Sequence, residues 1–278
     1  MYVRGGVLSP LLFNVYVDEL IESLEASGYG CHVGKQFFGC IMYADDLILL
    51  SASVSGLQAM LNICDLYVKK HALIFNVKKT TCAAVGRHRY VDAIFVLDEQ
   101  VVTWTNKFKY LGVHFTCGNR IDIDINPVKR HFYAACNSIL AKSRGAEEPV
   151  RVQLIKSYCL PLLVYCIGAL RMTRTSVQQL SVCWNDAFRR IFHYKRFESV
   201  KCLQDAFGAM DINHMYDLHR WNFLKSLHKR CDSWLNFIVI HDLEFHICDN
   251  LKRQYMNEDK FLGFSDCVVS HFHVIATM

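Results

Sequence analysis

The sequence predicts an α+β chain: an antiparallel sheet with covering helices over residues 1–116, then an all-helical region. Three observations carry this reading. Short apolar runs bounded by Gly, Asp and Lys recur between residues 31 and 115, as strands do. Two stretches with helical periodicity flank the first of those runs, as helices covering a sheet do. Beyond Cys117 the strand signal fades, and helical periods punctuated by Arg and Lys take over.

The first helix opens with Ser9 as N-cap and Pro10 at the first helical position, where its missing N–H costs nothing. Leu11, Leu12, Val15, Tyr16, Leu20 and Leu24 form its apolar stripe, Asp18, Glu19, Glu22 and Glu25 face away, and Gly28 stops it. Strand-like runs follow at 31–33, 37–42 and 47–51, with Gly34-Lys35 turning the first pair. From Ser55 a second helix buries Leu57, Met60, Leu61, Cys64, Tyr67 and Val68, and ends at Lys69-Lys70-His71, where basic residues suit the helix dipole. Further strands are expected at 81–85, 94–97, 101–104 and 108–115, with Asp98-Glu99 turning the middle pair. Helices are then expected at 127–142, 150–171, 177–192, 201–207 and 215–228, with residues 145–149 as a candidate hinge. Past Asn236 the sequence is apolar and His-rich, without a clear period.

Composition excludes several classes. With 52% hydrophobic and 21% charged residues in 278, the chain can bury a sizeable core and is neither disordered nor of low complexity. Its longest apolar run, 158–170, is broken by Pro161 and is too short for a membrane span, which takes about 20 residues. The opening residues carry no secretory apolar region, so an intracellular home, nucleus or cytoplasm, is the expectation. The 13 cysteines include no C-x-x-C pair and read as core thiols of a reducing compartment. Cys231, His241, His246 and Cys248 match no zinc-ligand spacing and read as core residues. A net charge of +5 suits an anionic partner.

The chemistry concentrates at Asp45 and Asp46, two adjacent carboxylates between the strongly apolar runs Ile41-Met42 and Leu47-Ile48-Leu49-Leu50. An acidic pair thrust out of a hairpin suits a hard cation such as Mg²⁺. Asp is also a preferred turn residue, so the dipeptide alone leaves both readings open.

The flanking blocks decide between them. Tyr43-Ala44-Asp45-Asp46 follows an apolar strand, and Gly5-Gly6-Val7-Leu8-Ser9-Pro10-Leu11-Leu12-Phe13-Asn14 precedes it at a suitable distance. Asn76-Val77-Lys78-Lys79-Thr80, Phe108-Lys109-Tyr110-Leu111-Gly112-Val113 and Leu160-Pro161-Leu162-Leu163-Val164-Tyr165 then arrive in order. Over residues 4 to about 195 the chain resembles the reverse transcriptases of LINE-type non-LTR retrotransposons.

The resemblance implies a partial polymerase palm over residues 1–116, a helical thumb and connection region over 117–198, and a C-terminal helical region over 199–278. It implies that Asp45 and Asp46 are catalytic ligands of Mg²⁺, for which Mn²⁺ could substitute, and that Lys79 acts toward departing pyrophosphate. As a lysine beside Lys78, Lys79 also reads as a solvated turn residue. Arg4, Gly5, Gly6, Ser9 and Pro10 would line the incoming nucleotide and template. Lys109, Tyr110, Leu111 and Gly112 would form the primer grip. The implied partners are an RNA template, a DNA primer and dNTPs, with no membrane, and the implied reaction is two-metal transfer of a nucleotide to a primer 3′-OH. The basic helices would hold the product duplex through its phosphates.

Three departures from the family qualify this. The family's further carboxylate comes from a strand upstream of the Gly-Gly segment. Only eight residues precede Ser9, so this carboxylate and the fingers are expected to belong to a longer chain. Alone, the chain is expected to be inactive. Arg4 stands where the family has Gln, bringing a fixed charge to the nucleotide region. Without its neighbouring strand, the hairpin around Asp45-Asp46 is expected to expose an apolar edge and promote aggregation. The alternative is a relic or domesticated fragment that only binds nucleic acid or protein. After Lys195 there is neither a zinc knuckle nor an acidic–lysine cluster to support an appended nuclease.

Overall fold

A computed structural model describes residues 9–86, 93–229 and 272–276 of the chain. These fall into two compact units, one running to Asp124 and including the strand at 272–276, the other beginning at Ile125.

In the first unit, helix α1 (Ser9–Ala26) begins at Ser9, which puts Pro10 in its first turn. Its buried stripe is Val17, Leu20 and Leu24, whereas Val15 is 74% exposed and does not join the core as the sequence suggested. Spacings of three and four select the former set. A short ribbon, β1 (His32–Val33) and β2 (Gln36–Phe37), leads through Phe38 and Gly39 to β3 (Cys40–Tyr43) and β4 (Asp46–Ser51). Residues 37–42 are therefore not one strand: the chain breaks at Gly39, where a Cβ would come within 2.6 Å of the Phe37 ring.

Helix α2 (Val54–Lys70) is capped by the Ser53 side chain, which accepts from the Gly56 N–H at 3.1 Å. It lays Leu57, Met60, Leu61 and Cys64 over β4. Each such fully buried side chain contributes about 1.5–3 kcal/mol. The Tyr16 hydroxyl donates to the His71 carbonyl at 2.7 Å, and the Tyr67 hydroxyl donates to the Tyr16 carbonyl, so α1 and α2 are joined by polar contacts as well as packing.

The chain returns as β5 (Thr81–Val85), then forms a small hairpin of β6 (Val96–Leu97) and β7 (Gln100–Val101) and continues as β8 (Thr103–Trp104). The Asp98-Glu99 turn has positive φ at both residues (48° and 58°), the backbone of a type I′ hairpin. Next come β9 (Lys107–Tyr110) and β10 (Val113–Cys117), an antiparallel hairpin at the primer-grip block, where the strand pattern alone suggested one run over 108–115. Past Cys117 the strand signal resumes in β11 (Ile121–Ile123), which pairs with β10 and carries the unit to Asp124 instead of 116. Its three residues are mostly exposed and give too short a run to read from sequence.

The main sheet has the order β3-β4-β12-β5-β8, where β12 is Phe272–Ala276. This corrects two expectations. The far end of the chain supplies a strand, so residues 199–278 are not a helical block. Moreover, the β4 flank of the hairpin is not bare, because β12 lies antiparallel along β4, pairing His273 with Ser51 and Ala276 with Ile48, and β3 is the sheet's edge strand on this side. The β4–α2–β5 crossover explains the slot: it passes over one strand position, leaving β4 and β5 parallel and a strand's width apart. The sheet is also mixed, not purely antiparallel, since β5 and β8 pair in parallel.

The regular elements among the described residues of the second unit are all helices: α3 (Asn126–Lys142), α4 (Glu148–Tyr158), α5 (Leu160–Val164), α6 (Arg174–Phe192), α7 (Lys201–Ala206) and α8 (Ile212–His228). The expected single helix at 150–171 breaks at Leu160-Pro161, because proline removes an N–H from the helical ladder. Of residues 145–149, the first three belong to the 143–147 turn between α3 and α4 and the last two open α4, so they lie inside this unit and form no boundary hinge. The Asp211 side chain caps α8 and the Thr173 side chain caps α6, and Trp184, Phe188 and Ile191 of α6 are buried.

Candidate functional site

The β3–β4 hairpin positions the acidic pair. Tyr43 pairs with Asp46, so its loop is just Ala44-Asp45, with Ala44 at a φ of 51°. Asp45 is therefore an exposed loop residue, whereas Asp46 is already in the strand and half-buried. Directly after Asp46 come Leu47, Ile48 and Leu49, all buried, which fix β4 in the sheet and leave the hairpin tip with no freedom to slide.

A second hairpin stands near this one. Tyr110, at the end of β9, packs against the cluster of Ile48, Ala83 and Val85. Burial raises its phenol pKa, and the Asp46 carboxylate raises it further, so these two side chains share an electrostatic neighbourhood. The β9–β10 loop is Leu111-Gly112, both left-handed, with φ of 45° and 83°. Lys109 is exposed on the same hairpin.

Lys79 lies in a turn in which its N–H and that of Thr80 bond to the Asn76 carbonyl. It is two residues ahead of Thr81, and the register aligns Thr81 with Ala276 and Ala276 with Ile48. Lys79 and Asp46 thus mark the same end of the sheet, separated by the β12 position, about 10 Å between strand axes. Ser9 and Pro10 are backbone positions at the start of α1. Arg4, Gly5 and Gly6 lie outside the described residues, as do Cys231, His241, His246 and Cys248. The structure therefore brings Asp46 and Tyr110 together, holds Asp45 beside Asp46 in the hairpin loop, and sets Lys79 at the same sheet end. What sequence reasoning missed is β12 as the neighbour of β4.

Residues 3–115 match the reverse transcriptase (RNA-dependent DNA polymerase) family. The chain carries a reverse transcriptase domain. The domain is similar to a Pol polyprotein of the Drosophila melanogaster retrotransposable element R2DM, at 31% identity over 129 residues, 42% of this chain and 12% of that protein. A Nasonia vitripennis R2 polyprotein is 29% identical over 133 residues, 44% of this chain and 13% of its own length. For a Popillia japonica R2 polyprotein the figures are 25% over 208 residues, 69% of this chain and 33% of the relative. The reverse transcriptase domain is thus of the non-LTR retrotransposon kind, and the chain spans a third or less of these relatives.

The reverse transcriptase family uses divalent cations, and the donor set can be tested for them. Mg²⁺ ordinarily takes one or two carboxylates together with substrate phosphates and water, which Asp45 and Asp46 satisfy. Among the described residues no group of three or more His, Cys, Asp or Glu side chains could hold a metal. The pair fits one Mg²⁺ shared with phosphates and falls short of a two-ion centre. No helix among the described residues is long and apolar enough to cross a membrane.

Proposed function

We propose that this chain provides the metal-carboxylate part of a reverse transcriptase palm, for transfer of nucleotides to a primer 3′-OH on an RNA template. The observation that carries it is the Asp45-Asp46 pair at the tip of a two-residue hairpin, inside the segment that matches the family. Asp45 and Asp46 would hold Mg²⁺. The ion, when bound, would neutralise phosphate charge as the P–O bonds exchange. The neighbouring β9–β10 hairpin, with Lys109, Tyr110, Leu111 and Gly112, would hold a primer end, and Lys79 would act toward departing pyrophosphate. Ser9 and Pro10, with Arg4, Gly5 and Gly6, would face template and nucleotide.

The chain by itself does not polymerise in this reading. The strand beside β4, Phe272–Ala276, has no acidic residue, so no described strand adds a carboxylate to the pair. The first unit, to Asp124, acts as palm, the helices from Asn126 act as thumb and connection, and the chain functions as part of a longer polymerase.

Mn²⁺ titration followed by amide NMR separates the two halves of the proposal. Paramagnetic broadening should centre on residues 43–47 and the tip of the β9–β10 hairpin, and D45N should abolish it. Broadening that ignores D45N overturns the metal assignment. Primer extension on an RNA template should show no incorporation by the chain alone, and D45N-sensitive extension overturns the incapacity. Reading the genomic frame upstream of Met1 tests the longer polymerase directly: an immediate stop codon would favour a relic instead.

A further inference from the structure

Helix α6 ends at His193, whose φ of 56° turns the chain sharply into residues 194–199. This loop is fastened at several points. The Tyr194 N–H bonds to the Arg189 carbonyl at 2.9 Å, the Arg189 Nε donates to the Glu198 carbonyl at 3.0 Å, and the Glu198 carboxylate accepts from the Lys195 N–H. So constrained, the loop still holds Phe197 at 83% exposure, the highest of any aromatic among the described residues. The Lys195 ammonium lies 6.0 Å from the centre of that ring. Exposure of Phe197 is therefore a property of an ordered loop, and not of a segment too loose to bury it.

The surroundings are cationic. Residues 189–201 contain five Lys and Arg against one acid, Glu198, which is engaged with the loop's own backbone. Arg190 is turned toward α3, with Asp186 at 2.9 Å and the Tyr133 ring beneath it, leaving Arg189, Lys195, Arg196 and Lys201 on the loop's side. Directly beside the loop is a cleft of about 870 Å³ rimmed by Arg189 and Lys201. Asp205 and Asp211 also line it, and the Asp211 carboxylate is committed to the α8 cap. Its floor is polar: Ser181 and Gln204 are buried, and the Gln204 amide donates to Asn185 Oδ1 at 2.8 Å.

We infer that the loop around Phe197 and this cleft form a binding site for unpaired nucleotides of a single-stranded nucleic acid. A flat exposed ring among cations is what stacks a base while neighbouring charges hold the phosphates. A polar floor of carboxamides offers donors and acceptors to a Watson–Crick edge, which only an unpaired base exposes. Along its length a duplex presents its stacked pairs edge-on and offers base faces only at its two ends. The inference rests on the second unit alone and does not depend on the metal assignment at Asp45 and Asp46.

Fluorescence anisotropy on the full chain tests it, with labelled oligouridine, oligothymidine and a blunt RNA duplex as probes. Single strands should bind about tenfold more tightly than the duplex, and F197A should lose about tenfold on single strands while leaving duplex binding unchanged. F197W should restore the loss, because any large aromatic face supports stacking. The double variant K195A/R196A should reduce the salt slope by about 1.4, the value for two single-strand phosphate contacts. Preference for oligouridine over oligothymidine would assign RNA, and equal binding would assign both single strands. A duplex bound as tightly as the single strands, or an F197A variant that binds them unchanged, overturns the site. Because Phe197 is exposed, its substitution leaves the fold in place, and circular dichroism checks this.

Discussion

Tyr43 and Asp46 face each other across β3 and β4 as a paired position, so a loop of two residues carries Asp45. So short a loop needs a positive φ, and Ala44 supplies it at 51° despite its Cβ. Ala44→Gly should therefore stabilise the fold by about 1 kcal/mol. Leu111 has the same problem at the tip of β9–β10, and Leu111→Asn, which gives an Asn-Gly loop, should gain a similar amount, about 1 kcal/mol. Urea unfolding checks both, and a lowered midpoint for either would show that the native side chain contributes more than its backbone costs.

Strand β12 bonds on both sides, to β4 and to β5, so its loss would uncover two facing edges at once. A chain ending before Phe272 should form oligomers in sedimentation experiments, as bare apolar edges do. An added peptide spanning 272–276 should reverse this. If the truncated chain stays monomeric and melts unchanged, the slot is closed in another way.

In the second unit, Gly168 meets the backbone of α8 so closely that a Cβ would lie 2.4 Å from the His219 carbonyl oxygen. Arg220, buried next to it, donates to the Gly168 carbonyl at 3.2 Å. Gly168→Ala must push α8 away and strain that bond, costing about 2–3 kcal/mol. A denaturation midpoint matching wild type would mean that the helix moves without cost.

Burial raises the carboxyl pKa of Asp217 on α8, opposed by His214 and supported by Asp211. A raised native pKa means that ionisation penalises the folded state. The penalty is absent below the unfolded value, near 3.9, and complete above the native one. Asp217→Asn should therefore raise the melting temperature at neutral pH and lose that advantage as the pH falls below about 4. An equal effect at both pH values would assign it to packing instead.

Local chemistry made much of this protein legible from sequence. The stripe of Leu57, Met60, Leu61 and Cys64 could form only a covering helix, and Asp98-Glu99 between two apolar pairs could form only a turn. Asp45-Asp46, set between apolar runs, identified the hairpin tip, with Asp45 in the loop and Asp46 the first residue of β4. Helix boundaries within 150–171 were less legible: Pro161 warned of a break that the apolar run concealed. The Tyr194-Lys195-Arg196-Phe197 run was visible as aromatic and basic, but nothing local shows that a capped helix end and Glu198 would hold Phe197 out.

By itself, then, the sequence determined the elements whose signals are local: apolar period, caps, turn residues and the acidic pair in its motif. Tertiary structure alone decided which strand stands next to β4. The β4–α2–β5 crossover leaves a slot one strand wide, and a strand some 220 residues further along fills it, since any chain of matching length can satisfy the two rows of backbone groups. Such pairing is chosen by backbone hydrogen bonds, which every sequence carries, and so leaves little trace in side-chain pattern.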